Sequence, residues 1–501
     1  MLKILSAQQI KALDAYTIEQ AAIESIDLME RACRTFLNWY VEKFDERLRT
    51  GIVCGTGNNG GDGLGVARML IERGYPVTVW IVRGDTAPSG DFNINLESAK
   101  TSSVRIFEIL NKEQTDNFFG EIDVLIDALF GSGLSRPLTG LHQWIIETMN
   151  NAPVKRVAID IPSGLMADKV SIGTVFKADY TISFQLPKLA FFLPQNHPFV
   201  GEWCLVDIGL NKNFIRESET KFYYIAGKGP RHVLKQRSKF DHKGTFGHAL
   251  LMVGSLGKMG AAVLSSRAAV RSGLGLLTVH IPRCGNIIMQ TSVPEAMVSL
   301  DRNEEMLTSP PSLEHFTTVG VGPGLGTSYD TVKALQYVLE HFRQPMVIDA
   351  DALNIISENR ELLQLIPPGT ILTPHPKEFE RLAGKSHDDY HRLEKLRSLA
   401  MQLQSVVVLK GAFTAIAAPD GSIYFNGTGN PGMATGGTGD VLTGILTGLL
   451  AQKYEPLQAA QVGVYLHGLS GDLAVPELGV NSLIASDIID FLPSAFLKLH
   501  P

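Results

Sequence analysis

The sequence predicts an α/β protein with two units, each built on a parallel sheet with helices on both faces. Apolar strand-like runs alternate with helix-like segments along the chain, which is the pattern of such a sheet. Each half has its own Gly-rich turn after an apolar run, at residues 55–63 and 320–326. A polar and aromatic stretch without periodicity, 211–230, is the predicted junction. The length of 501 residues fits two or three domains of ordinary size.

The predicted elements follow in alternating order. Helices are predicted around residues 7–40, 61–73, 258–273 and 440–452. Strands are predicted from short apolar runs. In the first half these runs are 51–54, Val77–Val82, Val124–Ile126 and Val157–Ile159. In the second half they are Ala249–Val253, Leu276–Ile281, Thr318–Val321, Met346–Ile348, Thr370–Leu372 and Val406–Leu409.

Composition excludes several classes of function. The net charge of -6 leaves no basic footprint of the kind that nucleic acid binding needs. Because the chain has no export signal and no run of about 18 apolar residues, we expect no membrane span and a cytoplasmic location. The four cysteines lack the spacing of a zinc site or a disulfide framework. Small molecules are the expected partners, and a homo-oligomer is the expected assembly.

The first Gly-rich turn has the spacing of a dinucleotide-binding fingerprint. Gly55, Gly57 and Gly60 follow the apolar run 51–54 as G-x-G-x-x-G. Asp62, however, is predicted to lie in the first turn of the helix, where a carboxylate repels phosphate. No clear ribose-binding acid follows the next strand. The turn is therefore predicted to bind polar ligand groups, or a cation through amide oxygen; the alternative is a tight turn with Asp62 as a helix cap.

Further polar residues follow two other strands of the first half. Ligands of open α/β sheets bind beyond the carboxyl ends of the strands. One crevice is therefore predicted to contain Asn59, Asp127, Asp160 and Ser163. Two neighbouring carboxylates can separate in pKa, which leaves one as a base and the other ionised. An all-oxygen set of this kind also suits a hard cation.

These motifs, in this order, resemble the N-terminal domain of the NAD(P)HX epimerases over about the first 215 residues. N-N-G-G-D-G, D-A-L-F-G-S-G-L and D-I-P-S-G carry the resemblance. It implies a Rossmann-like three-layer αβα domain at residues 1–218 that interconverts the R and S epimers of hydrated NADH and NADPH (NADHX and NADPHX). It also implies acid/base catalysis by Asp160 and a potassium ion (K⁺) bound by Asn59, Asp127 and Ser163. The family's Pro-Lys pair is present as Pro187-Lys188, without an assigned role. The implied substrate contacts are Asn58, Asn59, Gly60, Gly61, Asp62, Gly131, Ser132, Gly133, Leu134, Ser135, Arg136, Pro137 and Asp160.

The second half contains a Gly-rich segment that leads into a helix. Residues 429–440 read G-N-P-G-M-A-T-G-G-T-G-D and precede an apolar helical run. Successive glycines before a helix present backbone N–H groups to an anion, and the helix dipole adds to the attraction. This is a phosphate cradle without a Walker lysine. Asp440 at its edge is predicted to take a proton from a hydroxyl that attacks a phosphoryl group; the alternative is a helix cap.

This half resembles the ribokinase-type fold and, more narrowly, the ADP-dependent NAD(P)HX dehydratases over residues 230–495. G-P-G-L-G, D-A-D-A-L, T-P-H-P and G-G-T-G-D occur in family order, although Lys377 replaces the usual glycine after T-P-H-P. The resemblance implies a ribokinase-like αβα domain at 225–501, with ADP as co-substrate, Mg²⁺ as cofactor and Asp440 as catalytic base. The implied contacts to the hydrated nucleotide are Ala261, Gly324, Gly326, His375 and Asp440. The implied contacts to ADP are Lys410, Gly411, Ala412, Phe413, Thr414 and Gly439.

Together the two resemblances predict a bifunctional repair enzyme for hydrated NADH and NADPH, in which the epimerase supplies the S form that the dehydratase accepts. Three alternatives remain. A ribokinase-type kinase explains only the second half, and a dehydrogenase rests only on the first Gly-rich turn. The N-terminal half could also be a non-catalytic binding module. The sequence does not decide between ADP and ATP as the phosphoryl donor, because backbone amides bind phosphate groups without distinguishing a diphosphate from a triphosphate.

Overall fold

The computed structural model describes residues 1–84, 87–112, 121–227 and 229–500. The chain divides into two compact units. One unit is Lys3–Thr220, and the other is Lys221–Pro501 together with Met1–Leu2. Within the described ranges no helix combines the length and the apolar character that crossing a membrane requires.

The N-terminal unit is built on a parallel sheet with helices between its strands. The first strand of the chain, β1 (Leu2–Lys3), belongs to the other sheet. In chain order, the strands of this sheet are β2 (Thr50–Cys54), β3 (Val77–Val82), β4 (Arg105–Ile109), β5 (Val124–Ala128), β6 (Lys155–Ile159), β7 (Tyr180–Phe184) and β8 (Glu202–Val206). The helices are α1 (Ala7–Ala21), α2 (Ser25–Lys43), α3 (Asn58–Glu72), α4 (Gly90–Thr101), α5 (Gly140–Asn151), α6 (His197–Val200) and α7 (Lys212–Glu217). The sheet has the order β4-β3-β2-β5-β6-β7-β8, and each adjacent pair is parallel.

Both faces of this sheet are covered. Along β2, Ile52 and Cys54 pack into one apolar cluster, whereas Val53 packs into a second cluster on the opposite face. This alternation is what a strand buried on both sides requires. The chain crosses from β2 to β3 in one direction and later places β5 on the other side of β2. The switch between β2 and β5 opens a crevice at the carboxyl ends of the strands.

The C-terminal unit contains a larger, mostly parallel sheet. Its further strands are β9 (Phe222–Ile225), β10 (His248–Met252), β11 (Leu276–Ile281), β12 (Met297–Leu300), β13 (Thr318–Val321), β14 (Met346–Ile348), β15 (Ile371–Leu372), β16 (Val406–Leu409), β17 (Ala415–Ala417) and β18 (Ile423–Asn426). Its helices are α8 (Met259–Arg271), α9 (Asn286–Ser292), α10 (Tyr329–His341), α11 (Ala350–Glu358), α12 (Pro376–Ala383), α13 (Asp389–Leu403), α14 (Thr438–Ala451), α15 (Pro456–Leu478) and α16 (Ala485–Leu499). The order is β1-β9-β18-β17-β16-β15-β14-β13-β10-β11-β12, and β17 is antiparallel to both of its neighbours.

Helix α14 packs against helix α8 at very short range. A Cβ atom on Gly444 would lie 2.1 Å from the backbone oxygen of Ser265, so glycine is what allows the two backbones to approach. The rest of α14 from Val441 onward is buried. The apolar run after Asp440 is therefore a core helix whose first turn reaches the end of the sheet.

The prediction of two α/β units on parallel sheets is confirmed, while several element limits differ. The helix predicted at 7–40 is two helices, because Ala22 has a left-handed φ of 50° and Glu24 begins a new capping box with Asp27. The helix predicted at 61–73 begins earlier, at Asn58, and strand β5 extends through Asp127. The sequence analysis did not predict β1, β4, β7, β8, β9, β12, β17 and β18.

Candidate active sites in the two units

The carboxyl ends of β2, β5 and β6 lie side by side in the N-terminal sheet and bring the predicted polar residues together. Strand β2 leads into Asn58 and Asn59, β5 carries Asp127, and β6 is followed directly by Asp160. Sheet order explains this convergence, because β2 and β5 flank the switch point and β6 is the next strand.

The Gly-rich turn between β2 and α3 is held by a close backbone approach. A Cβ atom on Gly60 would lie only 1.9 Å from the carbonyl oxygen of Gly55, so the turn requires glycine there. The residue that caps α3 is Gly57, not Asp62, and no acidic residue lies in the first turn. The prediction that Asp62 stands in that turn is therefore wrong, because the helix begins four residues before it.

Asp127 and Ser163 form a buried hydrogen-bonded pair. The Ser163 Oγ–H donates to Asp127 Oδ1 at 2.7 Å, and the Ser163 N–H donates to Oδ2 at 2.7 Å. The backbone N–H of Leu129 also donates to Oδ1, at 3.1 Å. Burial raises the pKa of Asp127 to about 6, although the bonds from Ser163 act to lower it.

Asn59 lies against Gly131, the first predicted contact of the loop after β5. A Cβ atom on Gly131 would lie 3.5 Å from the Asn59 Cβ and 3.6 Å from its Oδ1. The Asn59 Nδ2 atom is buried and has no hydrogen-bond partner within the described part of the chain. The loop continues through Ser132, Gly133, Leu134, Ser135, Arg136 and Pro137, and its last three residues are exposed.

Asp160 has an unusual backbone and a lysine partner. Its φ of 65° places it in the left-handed region, where a non-glycine residue is strained. Its Oδ1 accepts hydrogen bonds from the Lys188 Nζ and, at 3.2 Å, from the Phe184 N–H. The same Nζ donates to Ser183 Oγ at 2.6 Å.

Two acids share the surroundings of Asp160. Burial, followed by the negative charge of Asp160, raises the pKa of Asp14 in α1 to about 6. The pKa of Asp62 is raised well above its ordinary value by burial and then by Asp160 and Asp14. The sequence analysis missed Asp14 and Ser183 and gave Lys188 no role. No motif marks Asp14, whereas the Pro-Lys pair after β7 was a signal for Lys188.

In the C-terminal unit, the predicted cradle is the start of helix α14. Its cap residue is Gly437, with a left-handed φ of 91°, and Asp440 lies in the first turn rather than at the cap. Burial raises the pKa of Asp440 to about 6, the charge of Asp349 adds to this, and Lys410 opposes it. Asp440 is therefore a carboxyl group that can exchange a proton near neutral pH.

Lys410 lies beneath this first turn in an ion pair. Its Nζ is 2.9 Å from Asp349 Oδ1, and Thr443 donates its hydroxyl to Asp349 Oδ2 at 2.7 Å. A Cβ atom on Gly439 would lie 3.5 Å from the Lys410 Nζ. Burial acts to lower the pKa of Lys410, but Asp349 and Glu378 outweigh it and the pKa is raised.

The predicted ADP contacts after Lys410 form a tight turn. The hydroxyl of Thr414 donates to the carbonyl oxygen of Gly411 at 3.1 Å. Between them, Ala412 is exposed and Phe413 is partly exposed. The turn leads from β16 to β17, where the sheet changes from parallel to antiparallel.

His375 caps helix α12. Its Nδ1 accepts the backbone N–H of Lys377 at 3.1 Å, and its own N–H donates to Glu378 Oε2 at 2.8 Å. Because Nδ1 is an acceptor, this hydrogen-bond pattern assigns the ring proton to Nε2. Lys377 is exposed, and its backbone joins the cap without crowding it.

The remaining predicted contacts lie together at the ends of β10 and β13. A Cβ atom on Gly324 would lie 3.2 Å from the Ala261 Cβ. The Gly326 N–H donates to Asp351 Oδ2 at 2.8 Å, and Lys258 Nζ lies 3.3 Å from the same oxygen. Asp351 therefore ties this turn to the loop before α8.

His467 of α15 is a further residue that the sequence analysis missed. Its Nε2–H donates to the carbonyl oxygen of Thr438 at 2.9 Å, in the first turn of α14. Burial lowers its pKa to about 4, so the ring is neutral near pH 7. A separate cavity of about 770 Å³ between α8 and α16 contains none of the predicted site residues.

The fold and the two clusters define a class of protein: an α/β enzyme with an acid-lined crevice in one unit and a Gly-rich helix start with an adjacent acid in the other. Comparisons with known proteins agree with this class. Residues 25–190 match the family model described as YjeF-related protein N-terminus, and residues 249–494 match that of NAD(P)H-hydrate dehydratase.

Relatives match over both units. The bifunctional NAD(P)H-hydrate repair enzyme of Moorella thermoacetica is 36% identical and aligns over 99% of this chain and 97% of its own length. That of Thermofilum pendens is 33% identical, with 100% and 97% covered. The crystal structure of the ADP/ATP-dependent NAD(P)H-hydrate dehydratase from Bacillus subtilis, co-crystallised with ATP/Mg²⁺, is 33% identical over 56% of this chain and 99% of its own, with a TM-score of 0.48. The chain belongs to the family of bifunctional NAD(P)H-hydrate repair enzymes.

Proposed function

We propose that the chain restores NADH and NADPH from their hydrates by two activities. The unit proposed as the epimerase domain, residues 1–218, interconverts the R and S epimers. The unit proposed as the dehydratase domain, 225–501, converts the S form back to NAD(P)H at the expense of ADP and releases AMP and phosphate. The observation that carries the proposal is the similarity to bifunctional repair enzymes over the whole chain.

In the epimerase crevice, Asp160 is the proposed acid/base. Epimerisation at C6 requires a proton to be given to the group that leaves and taken back when that group returns. A carboxyl group beside the ring can give this proton and, as the resulting carboxylate, take it back. The turns Asn58–Asp62 and Gly131–Pro137 are proposed to hold the nucleotide. Gly60 supports this role, because its close approach to Gly55 fixes the first turn.

The oxygen atoms beside this crevice fit a potassium ion. Asp127 offers a carboxylate, Ser163 a hydroxyl and Asn59 an amide oxygen, which are ligands that hard cations prefer. When bound, K⁺ would supply positive charge to the crevice. We propose Asn59, Asp127 and Ser163 as its ligands.

In the dehydratase unit, Asp440 is the proposed base for phosphoryl transfer. Hydroxide is a poor leaving group, so the C6 hydroxyl first attacks the β-phosphorus of ADP, while Asp440 takes the hydroxyl proton and AMP departs. Elimination of phosphate from C6, with loss of a C5 proton, restores the dihydropyridine. The N–H groups at the start of α14 and the ammonium of Lys410 stabilise the transferred charge.

Magnesium fits this site as an ion bound chiefly through phosphate and water. Mg²⁺ commonly keeps several waters and needs only one or two protein ligands. No group of three acidic, histidine or cysteine side chains suited to a metal occurs in the described part of the chain. When bound, Mg²⁺ would neutralise phosphate charge during transfer.

The test is a recovery assay on mixed R and S hydrated NADH with Mg²⁺, K⁺ and either ADP or ATP, followed by the absorbance of reduced nicotinamide. Complete recovery that depends on one nucleotide supports both activities and identifies the donor. Recovery that stops at the S fraction supports only dehydration. No recovery with either nucleotide overturns the proposal. We further propose a homo-oligomer, which sedimentation analysis tests directly.

A further inference from the structure

Two neighbouring strands of the N-terminal sheet end in left-handed turns. Asp160 follows β6 with a φ of 65°, and Gln185 follows β7 with a φ of 60°. Non-glycine residues in this conformation mark backbone that the surrounding structure holds in place. The turn at Gln185 brings the chain back, so that Lys188, three residues later, contacts Asp160.

Lys188 is buried, with only 2% of its side chain exposed, and its ammonium has two partners. It bonds to Asp160 Oδ1 and donates to Ser183 Oγ at 2.6 Å. A buried lysine is costly unless it is paired and hydrogen-bonded, and both conditions are met here. Lys188 therefore has one conformation rather than the freedom of a surface lysine.

The hydrogen bonds to Asp160 all reach the same oxygen. Lys188 Nζ, the Phe184 N–H at 3.2 Å and the Ser183 hydroxyl at 3.4 Å converge on Oδ1. Across the described residues, no hydrogen bond reaches Oδ2. One oxygen of the carboxylate is thus fixed to the protein, and the other is left for a ligand.

Lys188 also places a positive charge near several carboxyl groups. Asp14 of α1 and Asp62 of α3 both interact electrostatically with Asp160. Lys188 acts on Asp14 in the opposite direction to Asp160. The ammonium of Lys188 therefore offsets part of the negative charge that acts on Asp14.

We propose that Lys188 is a positioning residue of the epimerase site: with Ser183 it anchors Oδ1 of Asp160 and leaves Oδ2 as the oxygen that exchanges protons with the substrate. This inference rests on the proposed epimerase activity. It assigns Lys188 no contact with the substrate. Its role is to hold the carboxyl group of Asp160 in one orientation.

The test measures the equilibration of chromatographically separated S-NADHX with the R form by the full-length protein, without ADP so that dehydration is silent. For Lys188→Ala we expect kcat to fall about 100-fold, the lower end for loss of a positioned acid/base, while KM changes little. A lysine that serves only folding would not produce this split between kcat and KM. Ethylammonium chloride should restore part of the rate.

The matched control is Lys177→Ala, an exposed lysine in the same unit, for which we expect wild-type rates. A folded Lys188→Ala variant with wild-type kcat overturns the inference. If Lys188→Ala does not fold, Ser183→Ala decides, since it removes one partner of the ammonium and must lower kcat. A wild-type protein that does not equilibrate the epimers overturns the proposed epimerase activity instead.

Discussion

The raised pKa of Asp440 predicts a specific pH dependence for the dehydratase. The group is proposed to act as a base, so it must be ionised, and its pKa is about 6 instead of the ordinary 3.8. At pH 5 a carboxyl group of pKa 6 is about 9% ionised, whereas one of pKa 3.8 is about 94% ionised. We therefore expect kcat/KM for dehydration to fall about tenfold between pH 7 and pH 5.

The assay is the initial rate of S-NADHX consumption with the donor nucleotide and Mg²⁺, measured chromatographically and corrected for the reaction without protein. The phosphate groups of the nucleotide also titrate in this range. Comparing the wild type with Asp349→Asn separates the titration of Asp440 from that of the nucleotide, because the same nucleotide is used with both proteins. Asp349 is the charge that raises the pKa of Asp440 most after burial, so its removal should move the acid limb to lower pH.

Two results would refute this reasoning. A wild-type rate that stays constant down to pH 5 would show that no group of pKa near 6 limits the reaction. An acid limb that is identical in wild type and in a folded Asp349→Asn variant would show that the limb belongs to the nucleotide or to another residue.

Three further outcomes are expected. Asp440→Asn should abolish dehydration but leave epimerisation unchanged, as measured in separate assays; loss of both in a folded protein would contradict two independent sites. The same variant should unfold at a higher guanidinium concentration than the wild type at pH 8. The raised pKa of Asp440 means that the folded state loses stability as the pH rises from about 4 to about 6, and asparagine, which does not ionise, avoids this loss. Gly60→Ala should reduce epimerisation at least about tenfold with dehydration retained, since its Cβ would lie 1.9 Å from Gly55 O; equal rates would show that the turn adapts.

The fold class was predictable because both sheets leave a clear periodic signal. Several strands, such as β3, β11 and β16, have the limits that their apolar runs predict. The unpredicted strands lie mostly at sheet edges or in the antiparallel part, and their burial is incomplete in β4, β8 and β12. A half-exposed strand lacks a continuous apolar run, so sequence alone does not mark it.

Site residues that lie at the ends of strands could be predicted from the sequence, whereas site residues that lie within helices could not. Asp127, Asp160 and Lys410 each lie at a strand end, and sheet topology brings such residues together. Asp14 and His467 lie within helices far away in sequence, and only tertiary packing places them near the sites. Likewise, Asp62 was assigned to the wrong turn because the glycines before it did not predict an early helix start.

The contact between helices α8 and α14 determines how far apart two residues of the proposed dehydratase site lie. Ala261 lies one turn before Ser265, just as Asp440 lies one turn before Gly444, and the Ser265 hydroxyl donates to the carbonyl oxygen of Ala261 at 2.7 Å. Ala261, a proposed substrate contact, and Asp440, the proposed base, thus lie near the starts of two helices. The separation of these helices is set one turn further along, where Gly444 meets Ser265. The width of the site therefore depends on helix packing in the core. A side chain added at position 444 would push the two helices apart and widen the site without contacting any ligand.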